Sequence, residues 1–542
     1  MRSRLLSLIV ITIIGFAAQA QTNRYMVFFA DKDTASYSVN EPQVFLSARA
    51  IERRTKQQID ISAEDFPVNG VYTDSLMSLG ADVYFTTKWM NGALVQMDQS
   101  LVSTILGKGF VTKVEYIAPG AILSHTQEEA TIPGTFEAPT LTGKTSELQL
   151  AKLNAHVMHE DGYRGEGMLI AVLDNGFIGA NQFEPFGHIY TEDRLLATKD
   201  FVTNSGNVFQ LGGHGTQVLS CIGADFGDSI MIGTAPKASY VLCITEASGE
   251  YRVEEYNWLI AAEFADSIGV DVINSSLGYS TFDDPTMDYT TNDLDGSTTV
   301  VTQAANFAAS RGIIVVTSAG NEGTSSWKKI TAPGDAFDVL TVGSVNSIGS
   351  HTAFSSVGPT VDGRIKPDVC ALGDPATVVY ADGKINGGGG TSFASPQVAG
   401  FAACIWQANP DWSYKTVISA IKNSASNALS PDIELGYGVP NYRIAVVNGT
   451  LSYAQLVKSE VKVYPNPFKG NQVTIDFMGA QLNQPLQIEV QNLEGKTIFK
   501  QRLTDRNLPD KIDIEFEANE SGVYLLSLQG RRLNKLIKLI KI

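Results

Sequence analysis

Apolar residues fall in unbroken runs through the middle of the chain and in short, turn-bounded runs near its end, and the two rhythms predict different architectures. The run Met168-Leu169-Ile170-Ala171-Val172-Leu173 has strand length and no polar alternation, which predicts a strand buried on both faces and ending at Asp174. Similar runs predict strands over Ser239–Ile244, 270–273 and 313–316, with helices over 256–267 and 299–311 between them. Such alternation predicts an α/β fold with a doubly wound, mostly parallel sheet. Upstream, Arg24-Tyr25-Met26-Val27-Phe28-Phe29 and the stretches 81–86, 93–97 and 111–117 read as strands, and 47–56 and 100–106 as helices, giving a small α+β unit. Beyond residue 447, short strands over 473–477, 486–491, 496–501, 511–516 and 522–528 follow the turn Tyr464-Pro465-Asn466-Pro467 and predict a small β-sandwich.

The chemistry gathers in the α/β region. Gly387 to Gly390 lead into Thr391-Ser392-Phe393-Ala394-Ser395-Pro396, and the apolar stretch 398–406 reads as a buried helix that Ser392 opens. A helix start directs free N–H groups at incoming negative charge, which suits the oxyanion of acyl transfer. Of the six histidines, only His214 stands between glycines, at the mouth of an apolar helix running to Ala224. Asp174 lies at the carboxyl end of the predicted strand, where open α/β sheets place their sites. A lone Gly-Thr-Ser turn or a lone strand-end aspartate is ordinary structure, but the order Asp174, His214, Ser392 is that of the subtilisin triad.

On these residues the chain resembles the subtilisin-like serine proteases, or subtilases, over 148–447. Val272-Ile273-Asn274-Ser275-Ser276-Leu277-Gly278 is similar to that family's substrate-pairing strand, and Ser318-Ala319-Gly320-Asn321-Glu322-Gly323 to the segment bearing its oxyanion-hole asparagine. The resemblance implies that Ser392 is the nucleophile, His214 its base and Asp174 the orienting acid. It further implies that Asn321 stabilises the oxyanion, and that Ser276, Leu277, Gly278 and Gly320 bind substrate. Thr331, before Ala332-Pro333-Gly334, is expected near the floor of the primary specificity pocket. Three departures from the family pattern, Asn175, Gln217 and Phe393, remove no reacting atom and bear on pocket shape.

Composition adds the setting. A chain of 542 residues is too long for one ordinary core, and a formal charge of -17 argues against nucleic acid as a partner. Arg2 and Arg4, an apolar run over 5–16 and Ala18-Gln19-Ala20 predict a secretory signal peptide over 1–20, with no later membrane span. Residues 21–123 resemble a subtilase pro-segment, a fold that inhibits the protease and assists its folding; a permanent accessory domain is the competing reading. The mixture of Thr, Glu, Gly and Pro over 124–147 predicts an exposed linker with the maturation site, ahead of a peptidase domain over 148–450. A second linker, 451–460, precedes the sandwich of 461–542. Its Val-Tyr-Pro-Asn-Pro-Phe opening, Ser-Gly-Val-Tyr-Leu-Leu and Lys-rich end resemble the sorting domains of type IX secretion in Bacteroidetes; a carbohydrate-binding or spacer sandwich is the alternative. The expected partners are polypeptide substrates, the pro-segment and the secretion machinery, and the expected location is outside the cell or on its surface, reached through the periplasm.

Cys221, Cys243, Cys370 and Cys404 stand in apolar runs without metal-ligand spacing, so buried thiols are favoured over disulfides. The acyl-transfer chemistry requires no cofactor. Subtilases often carry structural calcium, but Asp283-Asp284 and Asp288, Asp293 and Asp295 lack a definite liganding pattern and read as an acidic surface loop. The expected function is therefore a secreted serine endopeptidase made as a zymogen. The competing classes are a binding protein on a scaffold that has lost catalysis, which would show as a substitution at one of the four reacting positions, and an esterase, which would have no use for a peptide-pairing strand.

Overall fold

In a computed structural model of the chain, the residues described are 22–32, 36–124, 131–132, 134–227, 230–247, 249–448, 461–477, 486–503, 511–518, 520–530 and 534–542. The expected signal peptide and the linker 451–460 lie outside them. The first unit contains β1 (Thr22–Phe29), α1 (Ala48–Gln57), α2 (Gly70–Ser78), β2 (Asp82–Thr87), β3 (Gly92–Asp98) and β4 (Val111–Pro119), with a short helix, Val102–Leu106, between the last two, inside the stretch 100–106 that reads as helical. Its four strands form an antiparallel sheet in the order β2-β3-β1-β4. The α+β expectation matches this arrangement apart from α2, whose sequence GVYTDSLMS buries only Leu76 and so leaves little apolar periodicity to read.

The central unit contains β5 (Leu169–Asp174), β6 (Leu195–Asp200), α3 (His214–Gly223), β7 (Ser239–Ile244), α4 (Val253–Ile268), β8 (Val272–Ser275), α5 (Val300–Ser310), β9 (Ile314–Ser318), β10 (Leu340–Asn346), β11 (Val369–Asp374), α6 (Thr391–Ala408) and α7 (Tyr414–Ser424). Seven strands form one parallel sheet in the order β11-β10-β9-β8-β5-β7-β6. All six residues of β5 are buried, as an unbroken apolar run on a two-sided sheet requires. The strand order reverses around β5, so its carboxyl end opens onto a crevice.

The linker expected over 124–147 is largely exposed among its described residues, but its second half is docked by backbone pairing rather than loose. Glu137 bridges Phe183, and Thr140–Leu141 pairs in parallel with Lys384–Gly388. Phe136 stacks on Tyr190 with ring centroids 5.6 Å apart. The unpaired edge of the hairpin Ala376–Val379/Lys384–Gly388 offers backbone donors and acceptors, and these override a loop-like composition.

The last unit has two sheets, β12 (Lys462–Tyr464), β13 (Gln472–Asp476) and β16 (Lys511–Glu515) in one, and β14 (Leu486–Asn492), β15 (Thr497–Leu503), β17 (Gly522–Gly530) and β18 (Asn534–Lys541) in the other. Its core, including Phe468, Ile475, Phe477, Ile488 and Leu526, is separate from that of the peptidase region. Asn466 of the turn motif clamps β18, donating from Nδ2 to Lys538 O at 2.7 Å while Oδ1 accepts from Ile540 N at 2.8 Å.

Candidate active site

Three elements bring the three sequence-distant residues to one place. Asp174 ends β5, fully buried, and Thr245 N donates to its carbonyl at 3.0 Å, which fixes the strand end. His214 opens α3, and Gly212 and Gly215 on either side leave no room for side chains. A Cβ at Gly215 would meet Gly176 O at 2.5 Å, and one at Gly212 would meet Asn175 Oδ1 at 2.1 Å. The close approach lets His214 Nδ1 reach Asp174 Oδ1 at 2.8 Å. Burial alone would lower the imidazole pKa, but the Asp174 charge and hydrogen bond, with a further contribution from Glu246, carry it above its ordinary value.

Ser392 lies in the first turn of α6, almost buried, behind Gly390. Pro396, four residues on, has no N–H to give to the Ser392 carbonyl. Ser276 Oγ fills that vacancy, donating to Ser392 O at 2.8 Å, and Ser392 Oγ in return donates to Ser276 O at 3.3 Å. Asn274 Nδ2 donates to Ser276 Oγ at 3.1 Å, and Ser395 Oγ donates to Asn274 Oδ1 at 3.0 Å. The sequence reading assigned no role to Asn274 or Ser395; both lie inside recognised motifs, but nothing local marks them as partners across 121 positions.

Asn321 spends its side-chain oxygen on Thr391, accepting from N at 2.9 Å and from Oγ1 at 3.0 Å. That orients Nδ2 toward the serine. A Cβ at Gly390 would stand 3.7 Å from Ser392 N and 3.8 Å from Asn321 Nδ2, so two N–H donors border the same small space. Two other expected residues pack against Thr331. Gly278 and Gly320 both face it, and its Oγ1 would be 2.1 Å and 2.8 Å from a Cβ at each. Gly320 also has φ +99°, a conformation that disfavours any other residue. Thr331 N donates to Ala319 O at 3.1 Å, and Tyr279 and Ala332 exchange both backbone hydrogen bonds, which holds these segments together.

Of the three departures, Phe393 packs its ring 5.8 Å from the His214 ring. Asn175 donates its backbone N–H to Asp174 Oδ1 at 2.8 Å. Among the described residues Asp174 Oδ2 finds no donor, where a hydroxyl at position 175 would have been one candidate. Nothing in the structure explains Gln217.

The four cysteines are buried free thiols. The acidic loop uses its carboxylates locally. Asp284 accepts from Thr286 N at 3.0 Å, Asp288 from Phe282 N at 2.7 Å, Asp293 from Thr290 N at 2.7 Å and Asp295 from Ser297 N at 2.8 Å. Among the described residues no group of three or more His, Cys, Asp or Glu is placed to hold a metal ion, and no helix is long and apolar enough to cross a membrane.

Comparisons with known proteins identify the family. The Subtilase family profile matches residues 165–439, the Peptidase S8 propeptide domain of Bacteroidota matches 24–131, and a secretion system C-terminal sorting domain matches 462–542. Subtilisin NAT of Bacillus subtilis subsp. natto is 31% identical over 300 residues, covering 55% of this chain and 70% of the relative. The subtilisin of Bacillus pumilus is 30% identical over 300 residues, covering 55% and 97%. The crystal structure of MycP1 from Mycobacterium smegmatis is 21% identical over 60% of this chain and 92% of its own, with a TM-score of 0.45. The class is a serine endopeptidase, made as a secreted zymogen with a pro-segment and carried to the cell surface or medium by type IX secretion. More particularly, the chain belongs to the subtilase family.

Proposed function

We propose that the chain hydrolyses internal peptide bonds through Ser392, His214 and Asp174 by way of an acyl-enzyme. The observation that carries this reading is the 2.8 Å Asp174–His214 hydrogen bond beside a serine at the start of a buried helix. His214 takes the Ser392 proton as Oγ attacks the scissile carbonyl, and its pKa, raised by Asp174, suits it to hold that proton for the leaving amine. To reach the imidazole, Ser392 Oγ exchanges its bond to Ser276 O for one to Nε2. Asn321 Nδ2 and Ser392 N receive the oxyanion, and a side-chain donor of this kind contributes about 3–4 kcal/mol, a magnitude taken from subtilisin. An extended substrate pairs with Ser276–Gly278 and sends one side chain toward Thr331.

The same reading assigns the parts: a signal peptide over 1–20, an inhibitory pro-segment over 21–123, a peptidase to residue 450 and a sorting sandwich over 461–542. Ser124 N still donates to Thr203 O at 2.7 Å, and Asn181 Nδ2 donates to Thr131 O at 2.9 Å, so maturation cleavage falls between these two docked points. The polypeptide substrates, the pro-segment and the secretion machinery are its partners. A serine-directed fluorophosphonate should label Ser392 in the processed enzyme and abolish peptide cleavage. Cleavage surviving full labelling, or label on another residue, would overturn the assignment.

A further inference from the structure

The carboxylates just past β7 have no place in the reaction. Glu246, half-buried, stands two residues beyond Ile244, the register partner of Asp174, and Tyr279 at the end of the substrate-pairing segment donates its hydroxyl to Glu246 Oε1 at 2.6 Å. Glu254, in the first turn of α4, is 1% exposed. Its Oε1 accepts from Ala247 N at 2.7 Å, while its Oε2 lies against the Glu250 carboxyl and has no donor among the described residues. Burial, followed by the mutual repulsion of Glu246, Glu250 and Glu254, raises the Glu254 pKa to about 11 and that of Glu246 to about 8. Acids so placed favour a proton or a cation.

A cavity of about 570 Å³ adjoins them, lined by Glu246, Gly249 and Tyr251 on one side and by Asn175 and Gly212, next to Asp174 and His214, on another. Val202, Thr203 and Leu211 continue the peptidase side, and the pro-segment contributes Arg24 and Pro119 to Ala121. Arg24 is buried there, donating from Nε to Pro119 O at 2.9 Å; burial lowers its pKa, and the neighbouring Tyr84 and Glu254 oppose that shift. The zymogen thus keeps a guanidinium in the wall of the cavity that Glu246 lines, and maturation removes it. The wall that departs ends in chain running toward the maturation site, so whatever replaces it lies N-terminal to a scissile bond.

We infer that Glu246, which lines the cavity, forms with its neighbours Glu250 and Glu254 a subsite for a guanidinium or ammonium side chain of the peptide substrate, N-terminal to the bond cut. The inference rests on the protease reading above and adds a substrate class to it. A metal ion would need three converging ligands, and no such group exists among the described residues; a long basic side chain instead spreads its donors over carboxylates that do not converge.

The test uses enzyme that has matured from the full chain, with rates expressed per active site titrated by fluorophosphonate. Fluorogenic peptides carry Arg, Lys, norleucine or Glu in turn at each of the four positions before the scissile bond. At one position Arg and Lys should exceed norleucine in kcat/KM by roughly 10- to 100-fold, with Glu poorest. Glu254→Gln should collapse that ratio. Glu250→Lys, at an exposed position that tolerates substitution, should invert it in favour of Glu. Equal rates at all four positions, or a basic preference that survives both substitutions, would overturn the inference. Failure to cleave any peptide, with Ser392 unlabelled, would instead bring down the protease reading itself.

Discussion

The pro-segment and the C-terminal sandwich flank the same peptidase but are joined to it by different physics. Met26, Tyr84, Trp89, Leu94, Ile117 and Ala118 of the pro-segment belong to the peptidase's own hydrophobic cluster, whereas the sandwich has a core to itself. Charge repeats the contrast. On one face of α4, Asp266 accepts from Arg53 at 2.6 Å, Arg54 at 2.8 Å and Lys88 at 2.9 Å, all within the interface. One turn earlier, Glu263 accepts from Thr87 Oγ1 at 2.5 Å and from the backbone N–H groups of Lys88 and Trp89 at 2.9 Å each. Arg311 reaches back to Asp65 at 3.0 Å and Glu64 at 2.9 Å, and Arg49 pairs with Asp271. The sandwich is tied by Asn154 Nδ2 donating to Leu493 O at 3.1 Å. The pro-segment keeps a small core of its own, including Tyr25, Val27, Leu76 and Val95, and extends a second face into the peptidase core, whereas among the described residues the sandwich adds nothing to that core.

The largest expected effect tests whether the pro-segment is the first substrate. Ser392→Ala should lower kcat by about 10⁶-fold. In the purified chain the pro-segment should then remain covalently attached, as read by mass spectrometry; normal processing in this variant would mean that another protease matures the chain. Next comes the ionic anchor. Removing one member of a buried ion network costs about 3–5 kcal/mol. Asp266→Ala should therefore weaken inhibition by the separate pro-segment by about 10² to 10⁴-fold, measured as Ki. An unchanged Ki would move the binding energy to the apolar contacts.

Acidity sharpens the same point. Burial opposes ionisation of Asp266, but Lys88, Arg53 and Arg54 hold its carboxyl well below the usual range. A depressed carboxylate gives stability that is present above its unfolded value and lost as pH falls through the folded one, so Asp266 does not release the pro-segment between pH 7 and 5. Glu263 has the opposite sign, since burial raises its pKa and its stabilisation fades as pH rises. Inhibition should hold or tighten over that interval; dissociation by pH 5, followed by fluorescence anisotropy, would contradict the ion-pair account. The smallest effect belongs to the sandwich. Deleting 461–542 should leave kcat/KM within about twofold, as expected for a change remote from the core, while retaining the enzyme in the periplasm of its native host.

How much of this was legible in the sequence follows from where the information sits. Asp174, His214, Ser392 and Asn321 each lie in a short segment whose glycines and apolar neighbours are local, so their motifs could be read singly and then ordered. The strands β6, β10 and β11 were not read. β6 carries Thr198, Lys199 and Asp200 at the sheet edge, and β10 is interrupted by Gly343, where a Cβ would meet Pro367 Cγ at 2.8 Å. β18 was read only as a basic end, although its alternation NKLIKLIK pairs along the whole of β17. The interface network was invisible for a different reason. Arg53 and Asp266 are 213 positions apart, and a charged residue on a helix gives no sign of whether it faces water or a partner.

Pro396 gives the site a property that a regular helix would lack. By omitting one rung of its ladder it leaves the Ser392 carbonyl available to Ser276, so the segment at Ser276 and the helix that carries the Ser392 hydroxyl are joined by a reciprocal pair of hydrogen bonds. A displacement of that segment would therefore be felt at both the carbonyl and the hydroxyl of a single residue.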